Sequence, residues 1–136
     1  MACDQQLVEL VEAYGRPAVT LRGEVVRSNS ERVIADYFSR SGIRYVYERP
    51  AVERWGFRRI SWPDFYLADY GVYVEYWGLA NLPDGSARSM YESSMRWKMG
   101  QYRRNGIRLV SLYPNELGNL DEVFRQKFEL VAGKAQ

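Results

Sequence analysis

The chain has no histidine and a single cysteine, Cys3. Those two shortages remove whole classes of chemistry. Without histidine there is no Ser-His-Asp relay, no histidine-assisted cysteine nucleophile and no His-rich zinc site. One cysteine excludes an internal disulfide and a cysteine-based zinc cluster, so Cys3 reads as incidental. Any metal must be held by oxygen atoms, which suits magnesium or manganese. Long apolar runs are missing as well, since none approaches the ~20 residues of a membrane span. No signal-peptide pattern opens the chain, where Met1–Ala2–Cys3–Asp4 leads straight into a polar segment. A cytoplasmic (intracellular) protein without a membrane partner is expected. Lysine is scarce: Lys98, Lys127 and Lys134 stand against sixteen arginines. The planar guanidinium is a good bidentate donor to phosphate, although coding composition explains such a bias equally well. Lys98 is the one lysine expected within the body of the fold.

What is present fits one globular domain. The 136 residues are 46% hydrophobic and 26% charged, enough for a core and a solvated surface. A net charge of +2 excludes a polycation. Leu7, Val8, Leu10 and Val11 recur at helical spacing over Gln5–Tyr14, and Ala18–Arg27 reads as an extended linker or a short strand. Residues 1–27 thus form an N-terminal helix and linker. Ser28 followed by Glu31 has the capping-box form. Val33, Ile34, Tyr37 and Phe38 then make an apolar stripe that Gly42 ends. Alternation marks Ile43–Glu48 as a strand, and Pro50–Phe57 is a connection or hairpin tip. Arg58–Leu67 and Gly71–Trp77 read as further strands. After the Asn81–Ala87 loop, Ser86 or Ser89 is expected to cap a helix running to about Asn105, closed by Gly106. Ile107–Tyr113 is an apolar strand that completes the core, residues 28–113. Residues 114–136 add an amphipathic helix over Leu120–Val131 and a fraying end, Gly133–Gln136. A helix between the third and fourth strands implies a crossover. The class is α/β, with a central mixed sheet of about four strands flanked by helices.

The stretch WPDFYLADYGVYVEYWG, Trp62 to Gly78, carries the chemistry. A turn centred on Asp69–Tyr70 sets Asp64 opposite Glu75. Directly opposed residues have Cβ atoms ~4.5–5.5 Å apart. Two carboxylates that close repel, and a carboxylate within an apolar strand loses its hydration. A divalent cation between them resolves both conflicts. The inference depends on register, because a slip of one residue sends one acid to the other face.

Ser30–Glu31 with Ile34–Ala35, Gly42–Ile43 with Tyr45, Pro63–Asp64–Phe65, Glu75–Tyr76–Trp77–Gly78 and then Lys98 together resemble the PD-(D/E)XK nuclease superfamily. That group includes restriction endonucleases, archaeal Holliday-junction resolvases and helicase-fused nuclease domains. The likeness spans about Ser28 to Tyr113. It implies a restriction endonuclease-like fold, with Asp64 and Glu75 binding Mg2+ or Mn2+ and Glu31 completing or orienting the metal shell. One position departs from the pattern: Trp77 stands where the motif lysine usually lies. Some members carry that lysine on the following helix, and Lys98 is the candidate. Helical spacing places Tyr91, Ser94, Lys98 and Tyr102 on one face. Catalysis is therefore assigned to Glu31, Asp64, Glu75 and Lys98.

Each assignment has a structural alternative. Asp64 can be a turn acid after proline, Glu75 a solvent-facing strand residue, Glu31 a helix cap and Lys98 a solvated helix charge. Gln101 and Tyr102 are candidate phosphate or water contacts. Arg54, Arg58 and Arg59 beside Trp55 form a basic, aromatic cluster suited to a DNA backbone or a partner subunit. Trp55, Trp62, Trp77 and Trp97 could stack on bases, with core packing favoured for Trp77 and Trp97. The expected activity is metal-dependent hydrolysis of DNA phosphodiesters by an endonuclease. Its small size favours structure-directed or nicking cleavage, and analogy adds a homodimer. The alternative is an inactive nucleic-acid-binding or assembly module of the same fold, which Trp77 favours. RNA as the substrate is a third reading.

Overall fold

The computed structural model describes residues 16–80, 82–83 and 85–132. The expected helix at Gln5–Tyr14, Cys3, the end Gly133–Gln136, and Asn81 and Asp84 of the loop lie outside them.

The ambiguous stretch after Pro17 is a small hairpin, β1 (Ala18–Val19) antiparallel to β2 (Val25–Val26). Ser28 then caps α1 (Asn29–Arg40), its hydroxyl accepting the Glu31 N–H at 3.2 Å. The Glu31 carboxylate takes the Tyr47 hydroxyl instead of closing the reciprocal half of a capping box. At the other end Gly42 adopts φ 71°. Ile43 N–H donates to Phe38 O at 2.8 Å and Gly42 N–H to Ser39 O at 3.3 Å. These two bonds satisfy carbonyls that a helix end otherwise leaves open.

The expected strand at Ile43–Glu48 is shorter, β3 (Val46–Tyr47). Pro50–Phe57 does contain a hairpin arm, β4 (Ala51–Val52), paired with β5 (Arg59–Ser61). The long strand expected over Arg58–Leu67 is broken. β5 and β6 (Phe65–Leu67) belong to different sheets, separated by Trp62–Pro63–Asp64. Pro63 has no N–H to give a ladder and restricts the residue before it, so the strand changes sheets there.

β7 (Val72–Tyr76) follows, then α2 (Ser86–Arg104), β8 (Arg108–Leu112), a 3-10 turn (Pro114–Asn119) and α3 (Leu120–Ala132). Neither Ser86 nor Ser89 caps α2. Gly85 occupies the cap position and no side chain bonds there. Gly106, at φ 66°, closes the helix as Gly42 closes α1, with Ile107 N–H on Tyr102 O at 2.9 Å.

The main sheet is mixed, in the order β3-β6-β7-β8, with only β7 and β8 parallel. Parallel neighbours need a crossover, and α2 supplies it. One face is the core. Phe65, Leu67, Val72, Val74, Val110 and Leu112 are buried there beneath α1 and α3. The Phe38 ring meets Phe65 at 5.4 Å and Phe124 at 5.3 Å between centroids. Lys98 is not the only lysine built into the fold, because Lys127 Nζ donates to Ser111 O at 2.7 Å and to Glu116 at 2.8 Å. Among the described residues no helix is long and apolar enough to cross a membrane.

Candidate active site

The β6–β7 turn determines the site. Tyr70 and Gly71 both donate to Leu67 O, and Gly71 accepts the left-handed conformation at φ 66°. Phe65 therefore pairs with Val74, Tyr66 with Tyr73 and Leu67 with Val72. One step beyond the ladder the same register sets Asp64 opposite Glu75. Neither acid is solvent-facing, with 5% and 6% of their surface exposed.

Both carboxylates are held. Asp64 Oδ2 accepts the Tyr76 N–H at 2.6 Å, and Oδ1 faces the Arg27 guanidinium at 3.4 Å. Glu75 Oε2 accepts the Tyr102 hydroxyl at 3.1 Å. The Tyr102 oxygen is in turn bonded to the Ser61 hydroxyl. Because its O–H donates to Glu75, Tyr102 accepts from the Ser61 hydroxyl. The Arg27 guanidinium also pairs with Glu48 at 2.7 Å, and the Arg27 backbone N–H donates to Tyr47 Oη at 3.1 Å. Tyr47 donates to Glu31, so Arg27 and Tyr47 link Asp64 to Glu31, while Glu75 is held separately by Tyr102 and Ser61.

The acids open onto a cavity of about 420 Å3. Tyr91, Ser94 and Lys98 line it from one face of α2, as their spacing predicted. Lys98 Nζ lies 5.9 Å from the centre of the Trp77 ring. Trp77 is buried, as expected, and its Nε1–H has no partner among the described residues. Lys98 thus enters from the helix while an indole fills the wall beneath it.

Burial raises Asp64 well above the usual carboxylate range, and the charges of Glu75 and Glu31 add to it. Burial raises Glu75 as well, opposed by the Lys98 charge and the Tyr102 hydrogen bond. The cationic groups present therefore leave negative charge on this pair uncompensated. That is the chemistry a divalent cation fits: two hard oxygen donors in a cleft wide enough to admit water. Among the described residues no three acid or cysteine side chains converge as a closed cage. Magnesium needs none, because it commonly keeps several waters beside one or two carboxylates. Asp64 and Glu75 are the residues that would hold it. Glu31, turned toward Tyr47, acts on the pair through its charge.

Tyr102, expected as a nucleic-acid contact, is only 2% exposed; it lies beneath the site and braces Glu75. Gln101 does not line the cavity, and its carbonyl accepts the Asn105 side-chain amide at 2.8 Å. Arg59 does line it, its guanidinium 5.1 Å from the Trp62 ring centre. Arg54 and Arg58 are exposed on the β4–β5 tip and do not. Trp97 is 55% exposed and not part of the core, because it sits beside the cavity-facing positions of α2 and not on the packed face.

Arg27, Tyr47 and Ser61 were not legible as site residues. Tyr47 carried a weak signal, its place in the Ile43–Glu48 alternation. Arg27 and Ser61 carried none, since each reaches the acids through long-range packing. Comparison with protein-family models, curated proteins and solved structures gives no match, so the chemistry of the site alone carries the functional reading.

Proposed function

We propose that the chain is a metal-dependent endodeoxyribonuclease of the PD-(D/E)XK type, with a restriction endonuclease-like fold. One observation carries the reading. The strand register opposes two buried carboxylates, and a lysine from the crossover helix opens onto the same cavity. Asp64 and Glu75 hold Mg2+ or Mn2+, which when bound lowers the pKa of a coordinated water and takes up charge on a phosphate oxygen. Lys98 orients the attacking water and stabilises its developing charge. The Tyr76 N–H and Tyr102 hydroxyl fix the two carboxylates, so that neither must reorganise when substrate enters.

The test is cleavage of supercoiled plasmid and branched DNA with Mg2+ or Mn2+. Asp64→Ala is expected to abolish cleavage, and Lys98→Ala to slow it by at least ~100-fold, the usual scale for loss of a charge-stabilising donor. Cleavage by Asp64→Ala at the wild-type rate rejects this site.

A second reading, a nucleic-acid-binding or assembly module without activity, draws on Arg27 and Trp77. A guanidinium already pairs with Asp64, and an indole takes the usual lysine position. DNA binding without cleavage under either metal favours it.

A further inference from the structure

Trp62 is the one tryptophan that lines the site cavity while remaining substantially exposed, at 48%. An indole buries a large apolar area when it packs, and leaving half of it in water forgoes stabilisation at ~25 cal/mol per Å2. Its backbone is nonetheless fixed. Ser61 before it is buried and bonded to Tyr102, and Pro63 and Asp64 after it are buried. The ring is thus held at the rim of the cleft, two residues from the acid pair. Arg59 lies against it at 5.1 Å, a cation over an aromatic face.

The cleft itself is narrow for a duplex. Its volume of about 420 Å3 falls in the ~300–1,000 Å3 range of small-ligand sites and suits a single nucleotide unit. Arg27, Arg59 and Lys98 supply positive charge along it. The β4–β5 tip, outside the cleft lining, carries Trp55 and Phe57, each 79% exposed, beside the exposed Arg54 and Arg58. Arginines interleaved with exposed aromatic rings track an unpaired strand, because every base has a face to stack while the phosphates follow the cations.

Resting on the nuclease reading, we propose that the site takes single-stranded DNA, or the unpaired strand at a duplex junction. Trp62 stacks on the base next to the bound phosphate, and Arg59 clamps the same nucleotide. Trp62 is then a specificity residue: it selects unpaired DNA and does no chemistry.

The test is fluorescence anisotropy with end-labelled oligonucleotides of one sequence, single-stranded, as blunt duplex and with one abasic position, in EDTA so that nothing is cut. The wild type is expected to bind the single strand at least ~10-fold more tightly than the duplex. Trp62→Ala is expected to weaken single-strand binding about tenfold, the scale of one lost base stack, and to leave duplex binding within about twofold. Trp62→Phe keeps a ring and is expected to restore most of the affinity, which separates stacking from a folding defect. The abasic site is expected to weaken the wild type and not Trp62→Ala. Equal affinity for both DNA forms, an equal loss on both with Trp62→Ala, or no binding to either overturns the proposal. Metal-dependent cutting of blunt duplex that is indifferent to Trp62 also overturns it and leaves the nuclease reading intact. Trp62-dependent single-strand binding without cutting under any metal rejects the nuclease reading and leaves the stacking site standing.

Discussion

At the scale of single residues the site is a conflict held in place. Asp64 and Glu75 are buried and opposed; burial raises both pKa values, and the charges of Glu75 and Glu31 raise Asp64 further. A carboxylate raised in the folded state binds its proton more tightly there than in the unfolded chain. Below the unfolded value, 4.5 for Glu75, both states are protonated and nothing is lost. As pH rises from the unfolded to the folded value the penalty accumulates, and above the folded value it is constant. Glu75→Gln keeps the shape and an acceptor for Tyr102 but has no proton to lose. Without divalent cation it is expected to be more stable than wild type at pH 8 by about 1 kcal/mol, or roughly 3–5 °C in Tm. The gap is expected to close toward pH 4 and to narrow when Mg2+ is added to wild type. Thermal melts in EDTA at both pH values check this, and a less stable variant at pH 8 contradicts it. Such a gain on removing a charge is what a site built for function at the expense of stability predicts.

At the scale of elements α2 joins the two halves of the site. Its cavity-facing positions deliver Lys98, and its last turn places Tyr102 between β5 and β7 through Ser61 and Glu75. Tyr102→Phe removes one hydroxyl from this bridge and preserves the ring. The expected cost is about 1–2 kcal/mol, since a buried acceptor loses its donor. Cleavage is expected to fall while affinity for DNA stays unchanged, because Tyr102 orients Glu75 and lies too deep to meet substrate. A melt, a cleavage rate and a binding isotherm on one preparation separate these effects. The register of β6 and β7 was legible at this scale, because Asp69–Tyr70–Gly71 is a strong turn signal and fixes every pair after it. The break at Pro63 was legible only in principle. The proline was visible, but the partner that draws β5 away, β4, lies in a segment whose two-residue strand leaves almost no periodicity.

At the scale of the whole molecule the two faces of the sheet are divided between stability and chemistry. Phe38, Phe65 and Phe124 interlock on one face, and the acids open toward α2 on the other. Phe38 is fully buried, so Phe38→Ala is expected to cost ~3–5 kcal/mol. The site hangs from β6 and β7, which this core supports, so metal-dependent cleavage is expected to disappear at the same temperature as the fold. Coincident loss of circular dichroism and activity on heating tests that coupling.

The sequence by itself determined the helices α1, α2 and α3, the strands β7 and β8, the mixed α/β class with its crossover, and the opposition of Asp64 and Glu75. Each follows from local rules: periodicity, capping residues, and one turn that sets a ladder. It also put Lys98 on the face with Tyr91 and Ser94, because helical spacing is rigid. Only the tertiary structure decided which way that face points, that Arg27 and Tyr47 link Asp64 to Glu31, and that Ser61 backs Tyr102. Trp97 stays in solvent and Trp62 stands at the cleft for the same reason. Long-range packing sets where an element's surface ends up, and the free energy that decides it comes from contacts between residues far apart in the chain.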